Sequence, residues 1–362
     1  MVASNPTTAV EEIRPPASTT GWWGWLRANL FNTPFNSLLT LCILVGFYKI
    51  LPPLIRWVFI DSSWIAGADA CRAAGGACWS VVEKNLRFIL FGFFPYHQQW
   101  RPVLAIAILI GLFFYSRDSR RWNRKLVYYW AGGLLIMGLF MHGGVLGMSV
   151  VETDQWSGLC LTLLLALFGL SAAYPLGVLL ALGRRSRLPA IKALCVIYIE
   201  LIRGVPLISL LFMASVMFPL FLPEGITINK ILRAQVAIIL FTAAYIAEVV
   251  RGGLQAIPRG QYEAAESLGL DYPQRMRLII LPQALKIVIP PTVSILISAF
   301  KDTSLVVIIG LFDLLKTTQA TLANPEWMGF STEAYLFIAL LYFMGCFSMS
   351  NFSRHLEKEL NR

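Results

Sequence analysis

The chain reads as an all-α protein that crosses a lipid bilayer several times, and three observations carry that reading. Hydrophobic residues make up 57% of it and charged residues 14%, where an ordinary soluble domain has about a quarter charged. Several apolar runs approach the roughly 20 residues a helix needs to traverse the hydrocarbon core. The basic residues gather in short loops between those runs: Arg117, Arg120, Arg121, Arg124 and Lys125; Arg184, Arg185 and Arg187; Arg259, Arg275 and Arg277. The formal net charge of +10 thus follows the excess of Lys and Arg in cytoplasmic loops. No recognition motif accompanies it that would make it a nucleic-acid surface.

Backbone facing lipid must satisfy its own hydrogen bonds, so each apolar run is expected to be a helix. Residues 1–33 form a cytoplasmic tail, part disordered and part amphipathic. Pro, Ser and Thr dominate 1–20, and no basic segment leads straight into an apolar run as in a signal peptide. Eight spans follow, near 34–57, 103–115, 126–148, 158–182, 190–221, 234–250, 287–311 and 333–352. The second is short for a full crossing. The first three, with an external loop at 61–100, make an N-terminal extension over 34–157. The other five make a core over 158–352, and 353–362 is a cytoplasmic tail.

The basic loops 116–125, 183–189 and 252–285 face the cytoplasm, and eight spans put both termini there. Loop 149–157 has Glu152 and Asp154 but no Lys or Arg, as an external loop should. Trp130, Trp156 and Tyr335 lie near run ends, where aromatic belts form. Cys42, Cys160, Cys195 and Cys346 fall in spans as apolar packing residues. Cys71 and Cys78 lie in the external loop, which is an oxidising space outside a bacterial inner membrane. A disulfide and two free thiols are both open to them. Zinc is not, because His97 alone leaves the ligand set incomplete.

The most informative stretch lies between spans 6 and 7. Pro258 and Gly260 break the incoming helix, and Gln261 to Leu268 is helix-forming. Gly269 can end that helix in a left-handed conformation, and Pro273 can open a second one. Pro282 is expected to kink the approach to span 7. The result is a helix–turn–helix hairpin on the cytoplasmic face, with the small residues Ala264 and Ala265 permitting close approach by another protein. Glu263-Ala264-Ala265, three residues, Gly269, nine residues and Ile279-x-Leu281-Pro282 resembles, position for position, the cytoplasmic loop of ABC importer permeases.

Further segments narrow the resemblance. Tyr198-Ile-Glu200-Leu-Ile-Arg203-Gly-Val-Pro206, Ala244-Tyr-Ile-Ala-Glu248-Val-Val-Arg251 and Phe300-Lys301-Asp302-Thr303-Ser304 are similar to polar amino-acid permeases from about residue 158 onward. Trp25-Leu-Arg27, Cys71 with Gly76-Ala-Cys78-Trp79, and Trp100-Arg101-Pro102 resemble the M-type subunit of general L-amino-acid permeases. The resemblance implies a type I importer permease fold in the bacterial inner membrane. It also implies a heterodimer with a second, homologous permease, two ABC ATPase chains, and a periplasmic binding protein that delivers an amino acid. The 252–285 loop would be the coupling helix, with Gln261, Glu263, Ala264, Ala265, Ser267, Gly269 and Pro282 gripped by the ATPase. ATP and Mg would sit on that partner. The chain itself has no Gly-x-x-x-x-Gly-Lys-Ser/Thr loop and no nucleophile–base arrangement, so it is expected to be a transport subunit without cofactor, metal or catalytic residues.

Charges inside spans mark further candidates. Glu200 and Arg203, like Glu248 and Arg251, are three apart on a helix and are read as structural pairs that lock span ends. Lys301, Asp302, Thr303 and Ser304 fall near or just past the middle of span 7. Asp302 could meet a substrate ammonium, and Lys301 or freed backbone amides a carboxylate. A self-satisfied Lys–Asp pair is the equal alternative. Pro290-Pro291 and Gly204-Val-Pro206 are expected to interrupt their helices and free backbone to line a cavity. An ion-coupled secondary amino-acid transporter would also explain intramembrane charge. It leaves the spacing of the Glu263 loop without a reason, and no repeat supports it.

Overall fold

The computed structural model describes residues 21–65, 67–145 and 147–360. Expectations for 1–20 lie outside them. The described residues contain helices and two isolated bridges but no strand. They divide into two compact units, 1–78 and 79–362.

In the first unit, α1 (Gly21–Asn29) precedes α2 (Pro34–Ile55). The Thr33 hydroxyl accepts from the Asn36 amide, and Pro34 opens the helix. A π turn, Arg56–Ile60, continues α2 just after Pro52 and Pro53. A proline interrupts the i→i−4 ladder, and a wide turn absorbs the mismatch. The segment after α2 is not an open loop. It folds through α3 (Ala68–Ala74), and a disulfide joins Cys71 to Cys78. The Ala77 amide donates to the Trp57 carbonyl and the Ser63 amide to the Ala77 carbonyl.

The second unit opens with α4 (Ser80–Phe91), α5 (Trp100–Ser116) and α6 (Arg124–His142). Arg101 is buried and donates from Nε to the Phe140 carbonyl (2.8 Å) and from Nη1 to that of Ser149 (3.1 Å). That ties the start of α5 to the end of α6. Then come α7 (Gly158–Arg184), α8 (Pro189–Gly204), α9 (Leu207–Phe212), a π turn at Met213–Met217, α10 (Phe218–Leu220) and α11 (Lys230–Ala256). α12 (Arg259–Ser267), α13 (Tyr272–Arg275) and α14 (Leu281–Ile287) form the polar hairpin. α15 (Ile289–Asp302), α16 (Leu314–Leu322) and α17 (Ser331–Leu360) complete the unit.

One core cluster joins α5, α6, α7, α9, α11 and residues 306–311. Residues 79–157 therefore share a core with the segment that follows. A second cluster joins α7, α8, α11 and residues 276–288. At the centre α7 lies on α11. A Cβ at Gly177 would come 2.7 Å from the Ile246 Cβ and 2.9 Å from the Ala243 carbonyl oxygen, so only glycine permits this approach.

Several expectations need correction. Among the described residues six helices, not eight, are long and apolar enough to span a bilayer: 34–60, 96–116, 158–184, 230–256, 289–309 and 331–360. A seventh is reached if α8 and the 207–220 segment count as one span, but they meet at 104°. Val205 precedes Pro206 and takes extended angles (φ −110°, ψ 134°), as residues before proline do. The third expected span is α6, which begins with Arg124 and Lys125 and is not among the six. The short second span is longer than expected because its helix starts at Trp100. The final tail is no separate element, since α17 runs on to Leu360.

Candidate functional site

The hairpin is built rigidly onto the helical core. Pro258 (φ −57°, ψ 142°) ends the extended link from α11 and starts α12 two residues earlier than expected. Gly269 turns the chain at φ +74°, where a side-chain-bearing residue is strained. Asp271 opens α13 with a capping box: its carboxylate accepts from the Gln274 amide, and the Gln274 side chain accepts from the Asp271 amide. Pro273 lies in that first turn. Pro282 lies in the first turn of α14, just after a π turn at Met276–Ile280, and does not itself break the chain. The break before α15 is at Val288 (φ −94°, ψ 3°), with Pro290 and Pro291 in the turn that follows.

The candidate coupling residues divide by face. Glu263, Ala264, Ser267, Gly269 and Pro282 are exposed, whereas Ala265 is fully buried. Only Ala264 of the two alanines can meet a partner, because 100° of helix rotation turns Ala265 inward. Gln261 is also exposed and accepts from the Gln283 amide (3.0 Å), which fastens α12 to α14. The Arg185 guanidinium donates to the Tyr262 hydroxyl (3.1 Å) and to the Leu254 carbonyl (3.1 Å). Glu266 pairs with Arg275.

The charged residues of α8 and α11 form one network rather than two separate pairs. Glu248 pairs with Arg251 (2.5 Å), Arg184 (3.2 Å) and Arg203 (3.6 Å). Glu200 pairs with Arg184 (2.9 Å) and not with Arg203. Arg184 ends α7, so the network links three helices at one end.

In the 289–309 span, α-helix gives way after Asp302 to a 3₁₀ helix over Thr303–Ile309. Asp302 lines a cavity of about 350 Å³ with Thr242, Tyr245, Ser294 and Ser298. Lys301 is exposed, and among the described residues no ion pair joins it to Asp302. Thr303 is buried with its hydroxyl on the Phe300 carbonyl (2.7 Å), and the Ser304 hydroxyl is on that of Lys301 (2.8 Å). Of the four candidates, the cavity takes in Asp302 alone.

Residues 173–362 match the family described as binding-protein-dependent transport system inner membrane components. An inner membrane amino-acid ABC transporter permease, YhdY of Escherichia coli, is 49% identical over 93% of this chain and 92% of its own length. The chain belongs to this family. The permease is also 38% identical to the glutamate/glutamine/aspartate/asparagine transport system permease BztC of Rhodobacter capsulatus, over 96% of this chain and 95% of that one. Among solved structures, an amino acid ABC transporter crystallised with histidines is 31% identical, with a TM-score of 0.50, over 56% of the permease and 92% of that chain. The permease is thus a multi-pass inner-membrane transport subunit of an ABC transporter. The two long relatives match the N-terminal extension as well as the core.

Some residues that the fold brings into these arrangements carry little signal in the sequence. Arg184 had no sign beyond membership of a basic loop. Tyr245, Ser294 and Ser298 look like ordinary span residues until the fold brings them round Asp302. Asp313 is fully buried outside the spans, and its carboxylate accepts from the Lys316 amide (2.9 Å) to cap α16. Burial pushes its carboxyl up to about 6. An acidic residue ahead of a short helix suggests the cap, but not the burial.

Proposed function

We propose that the permease carries amino acids inward, driven by ATP hydrolysed on a separate pair of ABC ATPase chains and fed by a periplasmic binding protein. A second, homologous permease completes the pathway. The 252–285 hairpin is the handle. The observation that carries this reading is its construction: Glu263, Ala264 and Gly269 are exposed, while Ala265, Met276, Ile280 and Ala284 are buried behind them. A displacement applied to the exposed face is therefore passed to the core that holds α7, α8 and α11. ATP binding closes the ATPase pair, the two handles approach, and the helices from α7 onward switch from inward- to outward-facing. Hydrolysis resets them. Asp302, with the hydroxyl-lined cavity beside it, meets the substrate ammonium, and Lys301 or freed amides meet the carboxylate.

Gly269 supplies the test. A Cβ there meets open space, so its cost is conformational, about 1–2 kcal/mol for the left-handed region. Gly269→Val should cut amino-acid-stimulated ATP hydrolysis and uptake in vesicles holding all partners, with insertion unchanged. Gly269→Asn, which tolerates that conformation, should be largely spared. Uptake unchanged in Gly269→Val would remove the coupling role.

A further inference from the structure

We infer that the cleft between the α7–α8 turn and the hairpin is a binding site for the phosphate headgroup of an anionic phospholipid from the adjoining leaflet. The cleft holds about 830 Å³ and is lined by the last residues of α7, the first turn of α8 with the residues before it, and the hairpin. Three guanidiniums line it, those of Arg187, Arg275 and Arg277, against one carboxylate, that of Glu266. Glu266 engages only Nη1 of Arg275. Arg275 is 92% buried, and its Nε has no partner. Among the described residues Arg187 and Arg277 have no ion pair, and both are exposed. Arg275 is compensated by Glu266, but Arg187 and Arg277 have no counter-charge in the cleft, so its lining carries excess positive charge. Guanidinium forks match phosphate oxygens. Apart from the Ser186 and Tyr272 hydroxyls, the rest of the lining is apolar, with Leu188 and Ile191 both exposed on the α8 side. A free inorganic phosphate has no use for that surface, whereas the acyl end of a lipid does. Basic pockets at the cytoplasmic ends of spans bind acidic headgroups in this way. A bound lipid would brace the hairpin against the α7–α8 turn without contacting the exposed face of α12.

The test measures retention of phosphatidylglycerol, phosphatidylcholine and inorganic phosphate by the full-length permease, with any chains that co-purify, using native mass spectrometry in detergent. Phosphatidylglycerol should be retained selectively. Arg187→Gln and Arg277→Gln should each weaken it about fivefold, the loss expected per basic side chain near an anionic lipid surface. Both side chains are exposed and unpaired, so the fold should persist. Arg120→Gln with Arg124→Gln, in a different basic loop, should leave retention intact. Equal retention of phosphatidylcholine, full retention by the Arg187/Arg277 double variant, or equal loss in the Arg120/Arg124 variant would overturn the proposal. Competition by millimolar inorganic phosphate alone would make this a soluble-anion site and overturn the lipid assignment.

Discussion

Glu248 holds three arginines from three helices, while Glu200 holds one and is half exposed. Removing Glu248 leaves three guanidiniums facing one another in a partly desolvated place. Glu248→Gln should therefore destabilise the permease by about 2 kcal/mol, and Glu200→Gln by less than about 1. Thermal unfolding in detergent reads both, and equal shifts would show that the network is not centred on Glu248. Asp313 gives a pH signature. Its carboxyl, ordinarily near 3.8, titrates at about 6 when folded, so between those values the folded chain holds a proton that the unfolded chain has released. Stability is then fully present below about pH 4 and is lost as pH rises through 6, by roughly 3 kcal/mol. Asp313→Asn keeps a good cap and should flatten that part of the melting-temperature profile between pH 4 and 7. A slope unchanged in the variant would assign it to another group.

At the scale of the element, small residues and prolines decide what the helices do. α7 places Gly169, Ala173, Gly177 and Ala181 at four-residue spacing along its length, the pattern that lets helix backbones meet closely in a bilayer. Gly177→Leu would drive a side chain into the Ala243 carbonyl and Ile246. It should cost about 1–3 kcal/mol or more, seen as a lowered melting temperature and a smaller monodisperse fraction on size exclusion. Gly111, where an added Cβ meets nothing, should accept leucine without that loss. Among the described residues the π turns, at 56–60, 213–217 and 276–280, each lie near a proline in sequence, Pro53, Pro219 and Pro282 respectively. The prolines were visible beforehand. Whether each would bend, widen or merely open its helix was not, because that depends on which carbonyls neighbouring side chains can satisfy. Arg233, for example, donates to the Ala214 (3.4 Å) and Ser215 carbonyls inside the second of these turns.

At the scale of the molecule, orientation is the strongest open expectation. With the permease produced without its ATPase partner, Ser267→Cys, exposed on the hairpin, should react with a membrane-impermeant maleimide in inside-out vesicles and not in intact spheroplasts. Labelling from the outer side would reverse the topology that the basic loops imply. Composition, apolar run length and the fixed spacing from Glu263 to Pro282 were enough to establish a helical membrane permease, because burial in lipid and the demand for internal hydrogen bonds act on any such segment locally. The left-handed turn at Gly269 and the opening of α13 at Pro273 were legible for the same reason. Tertiary structure alone decided that Arg184 completes the network, that Ala265 faces inward and that hydroxyls from two helices surround Asp302. Those outcomes rest on contacts between residues tens of positions apart, whose pairing is set by how helices pack and not by any property of their own neighbourhoods.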